Sequence, residues 1–215
     1  MGAAVGPASV VTISASYGSA GSIIAPEVAE RLGRPLLDRL VSADLAHDAE
    51  ASGESLSAAE GRATPQHRFF AHLALAAPFD ASPVSPAVGL DEDESLRRRA
   101  EAGIAEMRRG DGGVILGRAA AVVLARQPAA YHVRLDGPVA RRVARAMAIE
   151  GIDNERAARR RAETDRARTA YVRRLYRADP ADRELYHLVV DTTVLPTGSC
   201  ADLIVAAARA AWAFE

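Results

Sequence analysis

Short β-branched runs alternate with stretches of helical character along most of the chain. Val10-Val11-Thr12-Ile13-Ser14 reads as a first strand, and Gly21 to Leu32 as a helix closed by Gly33. Arg34 to Asp38 reads as a short second strand ending in a carboxylate, followed by a helical stretch from Arg39 to about Glu50 and a Ser/Gly-containing patch from Ser52 to Ser57. From Ala58 to Gly89 the pattern weakens. A helix over His67 to Ala77 is expected there, and Pro78, Pro83 and Pro86 break the segment after it into a mobile loop. The acidic run Asp91 to Glu94 stands before an expected helix, Ser95 to Arg109, where it would meet the positive end of the helix dipole. Gly112 to Leu116 is a third strand, running through a turn into a helix over Ala119 to Ala125. Ala129 to Leu135 is a fourth strand, and a helix runs from Pro138 to Glu150. An arginine-studded helix comes next over Asn154 to Tyr176, then a fifth strand, Leu185 to Asp191, and a last helix, Ser199 to Trp212. Five strands separated by helices call for a parallel sheet covered on both faces.

Composition narrows the class. A chain of 215 residues suits one domain, and its 49% hydrophobic content with only 5% aromatics predicts a core of Ala, Val and Leu. A net charge of -1 gives no general attraction to nucleic acid or to an anionic membrane. No apolar stretch approaches the ~20 residues that span a bilayer, and residues 1–9 lack the basic and apolar regions of a signal peptide, so a cytoplasmic location is expected. Cys200 is the only cysteine, which excludes an intrachain disulfide and reads as a packed small residue. The five histidines show no metal-ligand spacing. Alanine-rich helices are compatible with a homodimer without requiring one.

The chemistry starts at Tyr17-Gly18-Ser19-Ala20-Gly21-Ser22, between the first strand and the first helix. Strand, glycine-rich turn and helix aim backbone N–H groups and a helix N-terminus at a phosphate. The plain alternative is an ordinary strand-to-helix turn. All 27 basic residues are arginine, many of them between Arg134 and Arg183, so no lysine can complete this loop and phosphate chemistry here runs on arginine. Guanidinium groups suit it, being planar, permanently charged and bidentate toward phosphate oxygens.

Several motifs in order resemble the cytidylate kinase-like family, a branch of the P-loop nucleoside monophosphate kinases. They are I-S-x-x-Y-G-S-x-G-S-x-I-A, the L-L-D of the second strand, V-I-L-G-R, G-P-V-x-x-R-V, T-D-R-A-R-x-x-Y and the late D-T-T. The resemblance covers most of the chain and is weakest over residues 52–90. It implies an α/β P-loop kinase fold: a three-layer α/β/α sandwich with a five-stranded parallel sheet. A helical acceptor lobe over about 38–106 and an arginine-rich helical lid over about 153–176 come with it. It further implies transfer of the ATP γ-phosphoryl group, with Mg2+, to a pyrimidine nucleoside monophosphate, CMP by resemblance. Gly18, Ser19, Ala20, Gly21 and Ser22 would bind the donor phosphates. Asp38, Arg39, Arg118 and Arg142 would bind the acceptor. Asp165, Arg166 and Arg168 would form the lid, with Arg166, Arg168 and Arg118 the catalytic charges. Asp191-Thr192-Thr193 would lie near the donor base.

The plain alternatives are a helix cap for Asp38, a solvated loop for Arg118, and a charged helix face for Arg166 and Arg168. Arg142 is crowded by Arg141 and Arg145. Departures from the family pattern gather at the donor side. Gly21 takes the lysine position and Ile23 that of the metal-holding hydroxyl, leaving Ser22 as a substitute one residue out of register. Ala15 and Ser16 stand where relatives often carry Arg-Glu, and Ala119 where ordinary cytidylate kinases have aspartate. They motivate the rival reading, a degenerate nucleotide- or phosphate-binding regulatory protein with little turnover. A loop covered by Tyr17 would count against phosphate binding.

Overall fold

The computed structural model describes residues 9–38 and 86–214. In chain order the elements are β1 (Val10–Ala15), α1 (Gly21–Leu32), β2 (Leu36–Leu37), α2 (Pro86–Arg109), β3 (Gly113–Leu116), α3 (Ala120–Val123), β4 (Ala130–Asp136), α4 (Val139–Glu150), α5 (Asn154–Tyr176), β5 (Leu188–Asp191) and α6 (Thr197–Phe214). Single 3-10 turns at Arg183–Leu185 and Thr192–Val194 flank β5. The strands form one sheet in the order β2-β3-β1-β4-β5, and every pairing is parallel. All five strands therefore end on the same rim, which brings Ser16, Asp38, Gly117, Gly137 and Thr192 to one edge. Ligands of open α/β sheets bind at that edge.

Alternation along the strands sorts the core into two layers. Val11 and Ile13 of β1, with Val114 and Leu116 of β3, pack on Ile24 and Val28 of α1 and Ile204 and Val205 of α6. Val10 and Ile115 face the other way, toward Ile104 of α2 and Leu124 after α3. A third cluster joins α4 to α5 through Val143, Ala146 and Ala157. The expected three-layer α/β/α sandwich is thus present, with a core of small aliphatic residues. Cys200 is one of them: it is buried, and burial raises its thiol pKa.

Some boundaries differ from the expectation. The helix thought to begin at Ser95 begins at Pro86, so Asp91 to Glu94 lie within α2 instead of capping it. Proline fits the start of a helix, where its missing N–H has no partner to lose. Glu94 pairs with Arg98 one turn on, at 2.6 Å. β5 starts at Leu188, because Asp182 accepts the Glu184 amide at 3.0 Å and turns 183–185 into a 3-10 segment. The helix expected over Ala119 to Ala125 is the single turn α3. The expected helices over 39–50 and 67–77, the 52–57 patch, the loop after Pro78 and Arg39 lie outside the described residues. No helix among the described residues is long and apolar enough to cross a membrane.

One buried polar cluster sits inside the sheet. His132 of β4 is 3% exposed, with Nδ1 2.7 Å from the Thr12 hydroxyl and its amide bonded to His187 Nδ1 at 3.0 Å. The two imidazoles stack with centroids 4.9 Å apart. Burial, then the neighbouring His187, pushes the His132 pKa from 6.5 down to about 4. The unfolded chain therefore takes up this proton first, and stability present above pH 6.5 is lost as pH falls through about 4. The loss should reach about 3 kcal/mol, from ~1.4 kcal/mol per pKa unit. Urea titrations across that window should show a flatter profile for His132→Leu than for the parent.

Candidate phosphate site at the strand rim

The loop after β1 folds by alternating backbone handedness. Gly18 (φ 76°) and Ala20 (φ 56°) are left-handed, a pattern that turns successive amides toward a common point. The Ser19 amide and hydroxyl both donate to the Ser16 carbonyl, at 3.1 and 2.7 Å, and fix the turn from inside. The amides of Gly18, Ala20, Gly21 and Ser22 find no acceptor among the described residues. Helix α1 starts at Gly21 with no side-chain cap, so its positive end is open as well. Tyr17 does not cover this cradle. Its side chain packs into the α4–α5 corner against Val143, Ala146 and Ala157, where burial, then the nearby Glu150, raises its pKa.

The loop is tied to the neighbouring strands. Thr192, fully buried after β5, donates to the Ser19 carbonyl at 3.0 Å, and Arg145 of α4 donates to the Thr192 carbonyl. Arg141 is exposed and lies 3.5 Å from Asp191. Thr192→Val keeps the shape and removes the hydroxyl, so it should destabilise by about 1.5 kcal/mol, read from urea unfolding.

Beneath the loop runs a network of charges that links β4, α4 and α5. Arg134 and Asp136 pair at 2.8 Å, and Arg134 also reaches the Pro180 carbonyl and lies 5.7 Å from the Tyr186 ring centroid. Its Nη2 lies 3.2 Å from the Ser16 hydroxyl. Burial alone would raise the Asp136 pKa, but Arg134, the Ser16 hydroxyl and the Gly137 amide more than offset it and hold the carboxyl below its usual range. Arg142 is 5% exposed and donates to the carbonyls of Gly137 (2.9 Å) and Tyr17 (2.6 Å), while pairing with Asp165 at 3.0 Å and Asp136 at 3.4 Å. Arg168 donates to the Ala15 carbonyl and lies 3.3 Å from the Ser16 hydroxyl. Arg166, two residues away, is exposed.

On the other side of β1, Gly117, Arg118 and Ala119 are all left-handed, with φ of 78°, 56° and 53°. At Arg118 and Ala119, which are not glycine, this conformation costs energy, and strained backbone of this kind gathers at functional sites. It directs Arg118 toward β2, where Nε donates to the Asp38 carbonyl at 2.8 Å. Burial lowers the Arg118 pKa. Arg118 and Arg168 line a cavity of about 60 Å³ together with Ala15, Gly117, Tyr171 and Tyr186.

The expected site residues that the structure describes have different surroundings, and Arg39 lies outside the described residues. Gly18 to Ser22 form the amide cradle, Asp38 and Arg118 meet through a backbone carbonyl, and Arg168 reaches the start of the loop. Arg142, expected at an acceptor, is buried and engaged by carbonyls and carboxylates. Thr192 of the late D-T-T belongs to the same assembly, as do Arg134 and Asp136, which were not singled out in the sequence. A charged pair at i and i+2 on an otherwise buried strand was the available signal, since such residues share one face.

Magnesium, which the resemblance brings with ATP, takes oxygen ligands. Ser22 offers a hydroxyl, but the carboxylates around the loop, Asp136 and Asp165, are committed to Arg134 and Arg142. Among the described residues no three His, Cys, Asp or Glu side chains gather as a metal site. These residues do not fit a protein-held magnesium ion.

Comparison with known proteins gives three findings. The profile of the cytidylate kinase-like family matches residues 10–194. The crystal structure of an uncharacterized protein from Eubacterium ventriosum shares the fold with a TM-score of 0.60 at 19% identity, covering 94% of this chain and 99% of that one. A uronate isomerase of Corynebacterium glutamicum is 36% identical over 95 residues, which span 44% of this chain and 18% of that protein.

Proposed function

The chain belongs to the cytidylate kinase-like family, and on that premise we propose that it transfers the γ-phosphoryl group of ATP to a pyrimidine nucleoside monophosphate, with CMP the favoured acceptor. The carrying observation is the set of loop amides without an acceptor, on the same rim as the cavity of Arg118 and Arg168. In the proposed reaction an acceptor phosphate oxygen attacks the γ-phosphorus and ADP leaves. Such a transfer asks the protein for positioning and for neutralisation of spread negative charge. Gly18 to Ser22 hold the donor phosphates, Arg118 holds the acceptor phosphate, Asp38 and Arg39 are further acceptor contacts, and Arg166 and Arg168 meet the developing charge. Arg142 acts through the loop, as a positioning residue. ADP release should be measured with CMP, UMP, dCMP and AMP, with and without magnesium. Turnover with a pyrimidine monophosphate is the expected result, and Arg118→Ala should cut its kcat/KM by about a hundredfold. Arg166→Ala should also lower kcat.

One observation favours a second reading, a nucleotide-binding regulatory protein. Gly21 and Ile23 bring neither a cation nor a hydroxyl to the donor phosphates, and Asp136 is spent on arginines. Tight ATP binding with no ADP release for any of the four acceptors would establish that reading in place of the first.

A further inference from the structure

Helix α5 lies against the loop through an anion of its own. Asp165 Oδ1 accepts the Tyr17 amide at 3.0 Å, and Oδ2 accepts Arg142 Nη1 at 3.0 Å. The same guanidinium donates to the Tyr17 carbonyl at 2.6 Å. One turn further along α5, Arg168 donates to the Ala15 carbonyl. A single turn of helix thus grips residues 15–17, the segment that enters the phosphate loop. The Tyr17 amide directly precedes that of Gly18, the first amide of the cradle without an acceptor. A carboxylate therefore already stands where the anion cradle begins. Its charge opposes a phosphate arriving at the adjacent amides, and its bonds tie α5 to the residue just before them.

We infer that Asp165 is an autoinhibitory anion: it latches α5 onto the loop, and a phosphate-bearing ligand opens the site by displacing it. The inference rests on the loop being a phosphate site. Ligand and latch then act on adjoining stretches of one loop, residues 18–22 and 15–17, so weakening the latch raises affinity by the fraction of molecules it releases. Asp165→Asn keeps the shape of the side chain and leaves the Thr169 hydroxyl on the residue-165 carbonyl. It removes the charge that holds Arg142 and repels phosphate.

Calorimetric titration of the full chain with pyrophosphate should show about tenfold tighter binding to Asp165→Asn than to the parent. Equal or weaker binding to the variant overturns the role of Asp165 and leaves the phosphate loop standing. Absence of binding to both proteins overturns the role and the loop reading together. The parent chain supplies a second readout that needs no variant. Hydrogen exchange at the Tyr17 amide and along residues 165–172 should quicken when pyrophosphate saturates the protein. Unchanged exchange at saturation overturns the inference even if Asp165→Asn does not fold.

Discussion

Gly18→Ala should destabilise the protein by about 4 kcal/mol and abolish phosphate binding, the sum of left-handed strain and overpacking. The residue has φ 76°, which alanine adopts only at a cost. A Cβ there would stand 2.8 Å from the Arg142 carbonyl carbon and closer still to its oxygen. That obstacle is backbone in the first turn of α4, so no rotamer change relieves it. Either the loop lifts off α4, which breaks the Arg142–Tyr17 bond, or α4 shifts and pulls on the β4 end. Urea unfolding and ATP titration of the variant check both halves of the result. A near-native midpoint with intact ATP binding would show that the loop does not need its close approach to α4.

Arg142→Met is expected to cost about 4 kcal/mol, because breaking a buried ion pair leaves its partners uncompensated. Its side chain is 6% exposed, so solvent cannot take over the role of the guanidinium. Methionine preserves much of the volume, but it leaves Asp165 facing Arg168 at 4.0 Å and strips two carbonyls of this donor. Arg141→Met, one residue earlier and exposed, should change stability by less than about 0.5 kcal/mol. The contrast between adjacent arginines is the test. In a double-mutant cycle, Arg142→Met and Asp165→Asn should couple by about 1.5 kcal/mol or more, since they share one network. Additivity would mean that α5 is held to the loop by packing alone.

The fold was largely legible because its signals are local. The β-branched run Val10 to Ser14, the Gly33 stop and the repeated strand–helix alternation each reflect a backbone preference that tertiary packing reinforces. Helix α2 was misplaced at its start for a physical reason. Pro86 serves as a breaker when read in a chain and as a first-turn residue when the helix comes after it. Of the candidate site, the glycine turn and Arg118 were readable from motif order. The duties of individual arginines were not. Arg141 and Arg142 look alike in sequence, yet a rotation of about 100° per helical residue leaves one exposed and buries the other. Asp165 and Arg168 were legible as an i,i+3 pair, but their bonds to Tyr17 and Ala15 cross about 150 residues of chain, and no local pattern encodes such a contact. Arg134 and Asp136 hid in a strand whose neighbours are apolar.

Transfer of label from γ-labelled ATP to CMP, with magnesium present, tests the proposed activity most directly. Labelled CDP is expected from the parent chain, and about a hundredfold less from Arg118→Ala at equal protein concentration. Label that stays in ATP, while ATP binds the parent chain and no other pyrimidine monophosphate takes the phosphoryl group, would contradict it.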